Sequence, residues 1–336
     1  MRIVGSDTKW LKLLAVSGAL LTAMTVPTVA LAKQASSAKC DRTCLYGYID
    51  MYLDAVIRHD PGGLVVTSDV KFSENNKTLR LGEGGWKTIT AINRGYTIRA
   101  ADPSRGEVGY VGAVTTDGVG SMFALRLKVV DGKIAQVETI LPGKSLPEEF
   151  LEATSKLKLS RQIFATPVKL PNSSVRERLV SISNSYYEGI EQEDSRPVPF
   201  SPKCHRIENG VALTNNPNYS YPYVAANGTK LPNFAELGCM DLANAGAFNA
   251  DVISARRFPV VDEELGVTFA FTFYQSMSKA PCSHSKRYGD ICPAAGPGKG
   301  RFTLVMVEVF KIDGGRIMAM ESVWALQEPV WRSVWW

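Results

Sequence analysis

Two glutamates near the end of the chain, Glu308 and Glu321, have a spacing that suits acid–base chemistry. A four-residue loop at residues 313–316 would set Ile312 opposite Ile317, and Glu308 opposite Glu321. Two carboxylates side by side on an apolar strand face raise the pKa of one of them, which suits general acid–base catalysis at neutral pH. We therefore predict Glu308 and Glu321 as a catalytic pair. The alternative is that they lie on the solvent face or are shifted by one residue and never meet.

A related strand–turn–strand unit in the first half of the chain carries different charges. A three-residue loop there would set Arg126 opposite Glu138. An arginine beside the carboxylate would neutralise it and quench a base. If only one half works, the sequence therefore favours the second half.

Substrate-binding candidates lie in the same half. Arg256 and Arg257 are adjacent on a predicted strand, so one of them faces inward, and we assign that role to Arg257. The alternative is that these arginines pair with the acidic run at residues 262–264. Many aromatic residues of this half belong to the core, and a minority are expected to line a pocket for an aromatic ligand. Those predicted to bind substrate are Tyr187, Tyr274 and Trp324.

Other kinds of catalytic site find little support. The three histidines are scattered, and the chain contains neither a Gly-x-Ser-x-Gly elbow nor a glycine-rich phosphate loop after a strand. A zinc site at Cys282, His284 and Cys292 is an alternative, but it lacks the paired Cys-x-x-Cys spacing of structural zinc sites. The sequence therefore predicts no metal and no cofactor.

The first 32 residues have the composition of a removable secretory signal. Basic residues come first, residues 13–26 are apolar, and Pro27 is followed by the small residues Ala30 and Ala32. A stable membrane anchor needs about 20 apolar residues, more than this run offers. The alternative is an uncleaved anchor or a buried helix. We predict an exported protein, periplasmic or extracellular, with no membrane span once the signal is removed.

The cysteines and the net charge agree with export. All six cysteines follow the predicted signal, and an even number in an exported chain indicates disulfides. Fifteen pairings are formally open, and proximity in the sequence suggests Cys40–Cys44, Cys282–Cys292 and, by default, Cys204–Cys239. The net charge of +5 includes three basic residues and one acidic residue of the signal, which leaves +3 on the rest. This balance does not indicate nucleic-acid binding.

The remainder of the chain repeats one order of predicted elements. Each half has an amphipathic helix, a small hairpin, a shorter helix and four antiparallel strands. The shorter helices are expected at residues 83–93 and 233–245. The resulting α+β architecture is a curved antiparallel sheet wrapped around helices, present twice.

This order resembles the nuclear-transport-factor-2-like superfamily, and most closely its secreted tandem SnoaL-like proteins. The resemblance implies two cone folds arranged as a pseudo-dimer. It also implies the domain bounds 38–143 and 172–328, which leave a signal peptide at 1–32, a linker at 144–171 and a Trp-rich tail at 329–336. The segments that carry the resemblance are residues 40–47, Leu81-Gly-Glu-Gly-Gly-Trp86, and residues 256–264 followed by Gly266-Val267.

Proton transfer in an apolar pocket is the usual chemistry that the resemblance implies. We therefore expect an exported, cofactor-free lyase or isomerase that acts on a small hydrophobic, aromatic or polyketide-like compound. The alternatives are a non-catalytic small-molecule-binding protein and an interaction scaffold. The expected partner is such a ligand, and a homo-oligomer is compatible with the sequence.

Overall fold

The computed structural model describes residues 40–169, 175–246, 250–277, 282–294 and 300–336. The predicted signal at residues 1–32 lies outside these ranges, as do the last residues of the predicted linker. Within them the chain is a mixed α+β structure built on two six-stranded, mostly antiparallel sheets. No helix in the described part is both long and apolar enough to cross a membrane.

The first sheet wraps around one helix. Helix α1 (Arg42–Ile57) begins at Asp41, whose side chain accepts a hydrogen bond from the Cys44 amide at 2.8 Å. Its buried side chains recur at helical spacing and form the core of this half. The strand order is β2-β1-β6-β5-β4-β3, and the only parallel pair in it is β1 with β6. The strands are β1 (Val66–Glu74), β2 (Lys77–Leu79), β3 (Ile89–Asp102), β4 (Glu107–Thr116), β5 (Val119–Val130) and β6 (Lys133–Ile140).

The second sheet has the same topology around its own helix, α3 (Val175–Gln192). Its order is β10-β11-β14-β15-β7-β8, again with one parallel pair, β15 with β7. Each strand thus has a counterpart in the first sheet, in the same place. The strands are β7 (Phe200–Glu208), β8 (Val211–Ala212), β10 (Val252–Asp262), β11 (Val267–Ser276), β14 (Phe302–Asp313) and β15 (Arg316–Gln327).

A shared apolar core lies between the two sheets. It joins residues such as Ile98 and Val111 of the first sheet with Phe269, Val307 and Val323 of the second. Each sheet is therefore covered on both faces, by its helix on one side and by the other sheet on the other. This explains why the central strands are buried along almost their whole length.

The predicted second helix of each half is much shorter than expected. In the first half only a 3-10 turn (Gly84–Lys87) forms, and β3 begins at Ile89. The reason is that the β-branched residues after Lys87 pair with β4. In the second half the segment is divided between a 3-10 turn (Phe234–Glu236) and the short helix α4 (Cys239–Ala243).

The segment between the halves is structured. Within the described residues 144–169 it forms helix α2 (Glu148–Ser155) and a 3-10 turn (Gln162–Ala165). Phe150 packs edge-on against Trp324 of the second sheet at 5.6 Å between ring centroids. Phe164 is buried in the core between the sheets. The segment therefore contributes side chains to both halves' packing.

The second half also carries an insertion that the first half lacks. A small antiparallel sheet combines β9 (Tyr223–Ala225), β12 (Ser283–Ser285) and β13 (Gly289–Pro293). The Cys282–Cys292 disulfide joins β13 to the residue just before β12, and Cys204–Cys239 joins β7 to α4. With Cys40–Cys44 these are the three pairs that proximity in the sequence suggests.

The C-terminal tail returns to the first sheet. The Trp335 indole donates to Ser73 Oγ at 2.9 Å, and the Val334 amide donates to Asn76 Oδ1 at 2.9 Å. Trp335 also lies against the cationic group of Arg126. The tail of the second half is therefore anchored on β1 and its turn in the first half.

Candidate functional site

The predicted Glu308–Glu321 pair is wrong. Ile312 does pair with Ile317 as expected, but Lys311 pairs with Ala319, so Met318 is an extra residue that forms a β-bulge. Beyond the bulge the register is shifted by one residue. Glu308 therefore lies opposite Ser322, and Glu321 opposite Val309. Since successive side chains point to opposite faces, the two glutamates lie on opposite sides of the sheet.

Glu321 lies on the face toward the first sheet. Its carboxylate accepts a hydrogen bond from Arg161 at 2.9 Å and another from the Tyr96 hydroxyl. Burial raises the pKa of Glu321 above its ordinary value of 4.5, although the charge of Arg161 and the hydrogen bonds from Tyr96 and Arg161 oppose that rise. This contact joins the two halves of the chain and lies away from the cavity described below.

The raised pKa of Glu321 predicts a pH effect on stability. The native state binds this proton more tightly than the unfolded chain, so the contribution of Glu321 to stability is greatest below the unfolded pKa and falls as the pH rises through the native pKa. Glu321→Gln removes this titration. The free energy of unfolding of the unsubstituted protein, minus that of the variant, should therefore fall between about pH 4 and about pH 8, as measured by chemical denaturation. A value that stays constant or rises with pH would contradict this assignment.

The first-half prediction is confirmed, since Arg126 pairs with Glu138 in the strand register. Arg126 also forms an ion pair with Glu107 at 2.9 Å.

The prediction that Arg257 faces the pocket is wrong. Its guanidinium donates to Glu138 of the first sheet at 2.5 Å, because its position on β10 faces the space between the sheets.

Glu308 lies on the other face, toward α3, and is fully buried. Its carboxylate forms an ion pair with Arg206 at 2.7 Å and accepts hydrogen bonds from the Tyr274 hydroxyl at 3.1 Å and from Ser322 Oγ at 3.4 Å. The charge of Glu308 adds to the effect of burial in raising the pKa of Tyr187. Glu308 is thus enclosed by polar groups of the protein.

Arg206 connects Glu308 to a second carboxylate. Its Nε lies 2.6 Å from Oε1 of Glu208, and Oε2 of Glu208 accepts from the Trp324 indole at 3.0 Å. Burial opposes the charge of Arg206, but Glu208 and Glu308 raise its pKa well above the ordinary value, so it stays protonated. We call Arg206, Glu208 and Glu308 the charged cluster.

A cavity of about 450 Å³ lies above the charged cluster. Arg206 and Glu208 belong to its lining, and Glu308 lies behind them. Its remaining walls are mainly aromatic and aliphatic. Of the predicted substrate-binding residues, Tyr274 and Trp324 line it, whereas Tyr187 lies behind Tyr274 with its ring centroid 6.3 Å away. The aromatic lining residues are Phe150, Tyr219, Tyr221, Tyr223, Tyr274, Phe302 and Trp324.

Part of the cavity wall comes from segments outside the second sheet. Phe150 comes from α2, and Tyr219, Tyr221 and Tyr223 come from the connection between β8 and α4, which includes β9. Neighbouring rings contact each other, with Phe150 and Tyr219 at 6.5 Å and Tyr219 and Tyr221 at 5.5 Å between centroids. The Tyr221 hydroxyl is buried and has no hydrogen-bond partner among the described residues. Burial and the charge of Glu208 raise its pKa well above 10, so it remains a donor.

Arg206 and Glu208 are not among the site residues predicted from the sequence. The signal was available in the stretch Cys204-His-Arg-Ile-Glu208, because alternation places these two residues on the face of Cys204. A half-cystine is usually buried, so two charged residues on its face indicate a buried ion pair. In the first half, the residues that correspond by strand order and register are Phe72 and Glu74. A phenylalanine therefore replaces the arginine there.

A second cavity of about 380 Å³ lies beside Thr97 at the junction of the halves. The three arginines in its lining already have carboxylate partners: Arg42 pairs with Asp262 and Glu264, Arg99 with Asp50, and Arg161 with Glu321. Two of these arginines, Arg42 and Arg161, therefore serve contacts with the second half. Among the described residues no cluster of three or more His, Cys, Asp or Glu side chains could hold a metal ion.

Comparison with known proteins finds one sequence family and a few solved structures. A family described as "Domain of unknown function (DUF8021)" matches residues 172–324, which include the whole charged cluster. No curated protein matches the chain.

The solved structures include two designed proteins. The first, "Crystal structure of a de novo designed protein with curved beta-sheet", is 16% identical, with 34% of this chain and 94% of that chain covered and a TM-score of 0.26. The second, "De novo designed NTF2 fold protein NT-9", is 13% identical, with 34% of this chain and 93% of that chain covered and a TM-score of 0.21.

Proposed function

We propose that the second half binds a small hydrophobic, aromatic or polyketide-like compound and acts on it by cofactor-free acid–base chemistry, as a lyase or isomerase. The observation that carries the proposal is the position of Glu208, a carboxylate in the lining of a largely aromatic cavity. Such a cavity, with few polar groups that converge on it, is typical of small-molecule sites. A carboxylate within reach of the ligand supplies the acid–base group.

The proposed base is Glu208, in place of the pair predicted from the sequence. Arg206 and Trp324 each hold one of its oxygens and fix the orientation of the carboxylate. A substrate carbon or hydroxyl above Glu208 would give its proton to this carboxylate. The free hydroxyl of Tyr221 would donate a hydrogen bond to the oxygen on which negative charge develops.

Glu308 has a positioning role in this proposal. It lies behind the cavity and holds Arg206, which in turn holds Glu208. The first half is proposed to have no equivalent site, because Phe72 stands in place of Arg206. One working cavity per chain follows from this difference.

A neutral probe, naphthylethanol, tests the binding proposal. Leu304 lines the cavity, and Leu304→Trp should fill part of it and reduce probe binding measured by calorimetry at least about tenfold. Thr97→Trp introduces the same side chain into the cavity at the junction of the halves and is the control. Equal loss in both variants, or loss only in Thr97→Trp, would contradict binding in the second half.

A non-catalytic binding protein is the second candidate. It is favoured by the fact that both oxygens of Glu208 already accept hydrogen bonds within the protein, which leaves fewer lone pairs open to a substrate proton. Mass spectrometry of the protein mixed with a natural compound tests this candidate. A compound that binds tightly and stays chemically unchanged would support a binding protein over the enzyme.

The finer architecture and the location are also part of the proposal. We propose that residues 38–143 and 172–328 are two SnoaL-like domains arranged as a pseudo-dimer, supported by their equal strand order and the core between their sheets. Export is supported by three disulfides. N-terminal sequencing of secreted protein should begin close after Ala32, and an intact Met1 would contradict cleavage.

A further inference from the structure

The charges of the cavity indicate which compounds it accepts. Among the described residues that line it, the charged ones are Glu149, Arg206 and Glu208. Arg206 is already bound by two carboxylates, Glu208 and Glu308. An anionic ligand would therefore have to compete with a carboxylate for a buried guanidinium, which is costly.

The mouth of the cavity has a different character from its floor. Glu149 lies there on α2, exposed, and the neighbouring Phe150 packs edge-on against Tyr219. The charge of Glu149 reaches the Tyr219 hydroxyl, where it adds to burial in raising the pKa of that tyrosine. The rings continue from Tyr219 to Tyr221 and from Tyr221 to Tyr223, and the planes of the last two rings lie at 13° to each other. A carboxylate and the faces of aromatic rings both attract an organic cation, so this part of the cavity favours binding of one.

We infer that the ligand of this cavity is an amphiphilic cation, with an amine or quaternary ammonium group at the mouth near Glu149 and Tyr219 and an apolar body that extends inward to Glu208. The inference rests on the proposed function, that is, on a small molecule bound in this cavity. It adds a chemical class: the charged end is recognised by Glu149 and the aromatic rings, and the apolar end reaches the acid–base group. The unpartnered Tyr221 hydroxyl lies along this path and can bond a polar atom of the ligand.

Three probes that share a naphthyl group and differ in the charge of the head group test the inference: naphthylethyltrimethylammonium, naphthylethanol and naphthylacetate. Calorimetry at low ionic strength should give the cation at least about tenfold tighter binding than the alcohol, and the acetate the weakest. The preference should shrink in about 0.5 M salt, because the mouth is exposed to solvent.

Glu149→Gln should weaken binding of the cation by about three- to tenfold and leave the alcohol unchanged. Glu148→Gln is the matched control, since Glu148 lies on the same helix, is equally exposed and is not part of the lining. An alcohol that binds as tightly as the cation, or equal effects of the two variants, overturns the inference and leaves the proposed function standing. Failure of all three probes to bind contradicts both.

Discussion

Replacing Arg206 by alanine should lower the free energy of unfolding by about 3–5 kcal/mol. Arg206 is 1% exposed and is the cation shared by Glu208 and Glu308. Without it, Glu308 would be left as a fully buried carboxylate with only hydroxyl donors, and the deleted side chain would leave a void. Equilibrium denaturation by urea, followed by circular dichroism, measures the change.

Three further variants separate the effect of the buried charge from the loss of an ion pair in general and from the loss of packing. Lys156→Ala breaks an exposed ion pair with Glu152, and its cost should stay within about 0.5 kcal/mol. Combining Arg206→Met with Glu308→Gln restores volume and removes the unpaired charge, so it should recover much of the stability lost in Arg206→Met alone. A loss below about 1 kcal/mol for Arg206→Ala would show that the charged cluster does not stabilise the second half.

Glu208→Gln should lower turnover of the natural substrate at least about a hundredfold, the usual scale of lost acid–base catalysis. Glutamine keeps the shape and can still accept from the Trp324 indole, but it cannot take up the substrate's proton. The loss should lie mainly in kcat, because the cavity walls that bind the apolar body are unchanged. Steady-state kinetics of the two proteins provide the test.

Glu74→Gln is the matched control for this change, since Glu74 occupies the corresponding position in the first half. Burial raises its pKa, and it accepts hydrogen bonds from the Gly85 amide. Its replacement should leave turnover within about twofold of the native value. Near-normal turnover in Glu208→Gln, or an equal loss in Glu74→Gln, would contradict a catalytic role for Glu208.

The sequence predicted the fold better than the site because the two depend on different details. Elements and their order follow from periodicity and turn residues, which are local. The Glu308–Glu321 pairing depended on register, and one extra residue, Met318, reversed the face of Glu321. Nothing in the type of Met318 marks it as a bulge. The set Phe302, Leu304, Met306, Glu308 and Phe310 does share one face, since no bulge interrupts that strand.

The residues that line the cavity could not be predicted from the sequence for another reason. Phe150 and Glu149 belong to the segment predicted as a linker, and Tyr219, Tyr221 and Tyr223 to a long connection. Such segments reach the site only through the tertiary fold, which local patterns do not specify. The ion pair of Arg257 with Glu138 is also a contact between halves, so no local pattern could have distinguished it from an inward arginine.

A crystal structure of the protein soaked with naphthylethanol tests the central claim most directly. We predict the naphthyl rings inside the cavity of the second half, among Phe150, Tyr221 and Trp324. Probe bound instead beside Thr97 at the junction of the halves, or a cavity without probe at saturating concentration, would contradict the assignment of the binding site to the second half.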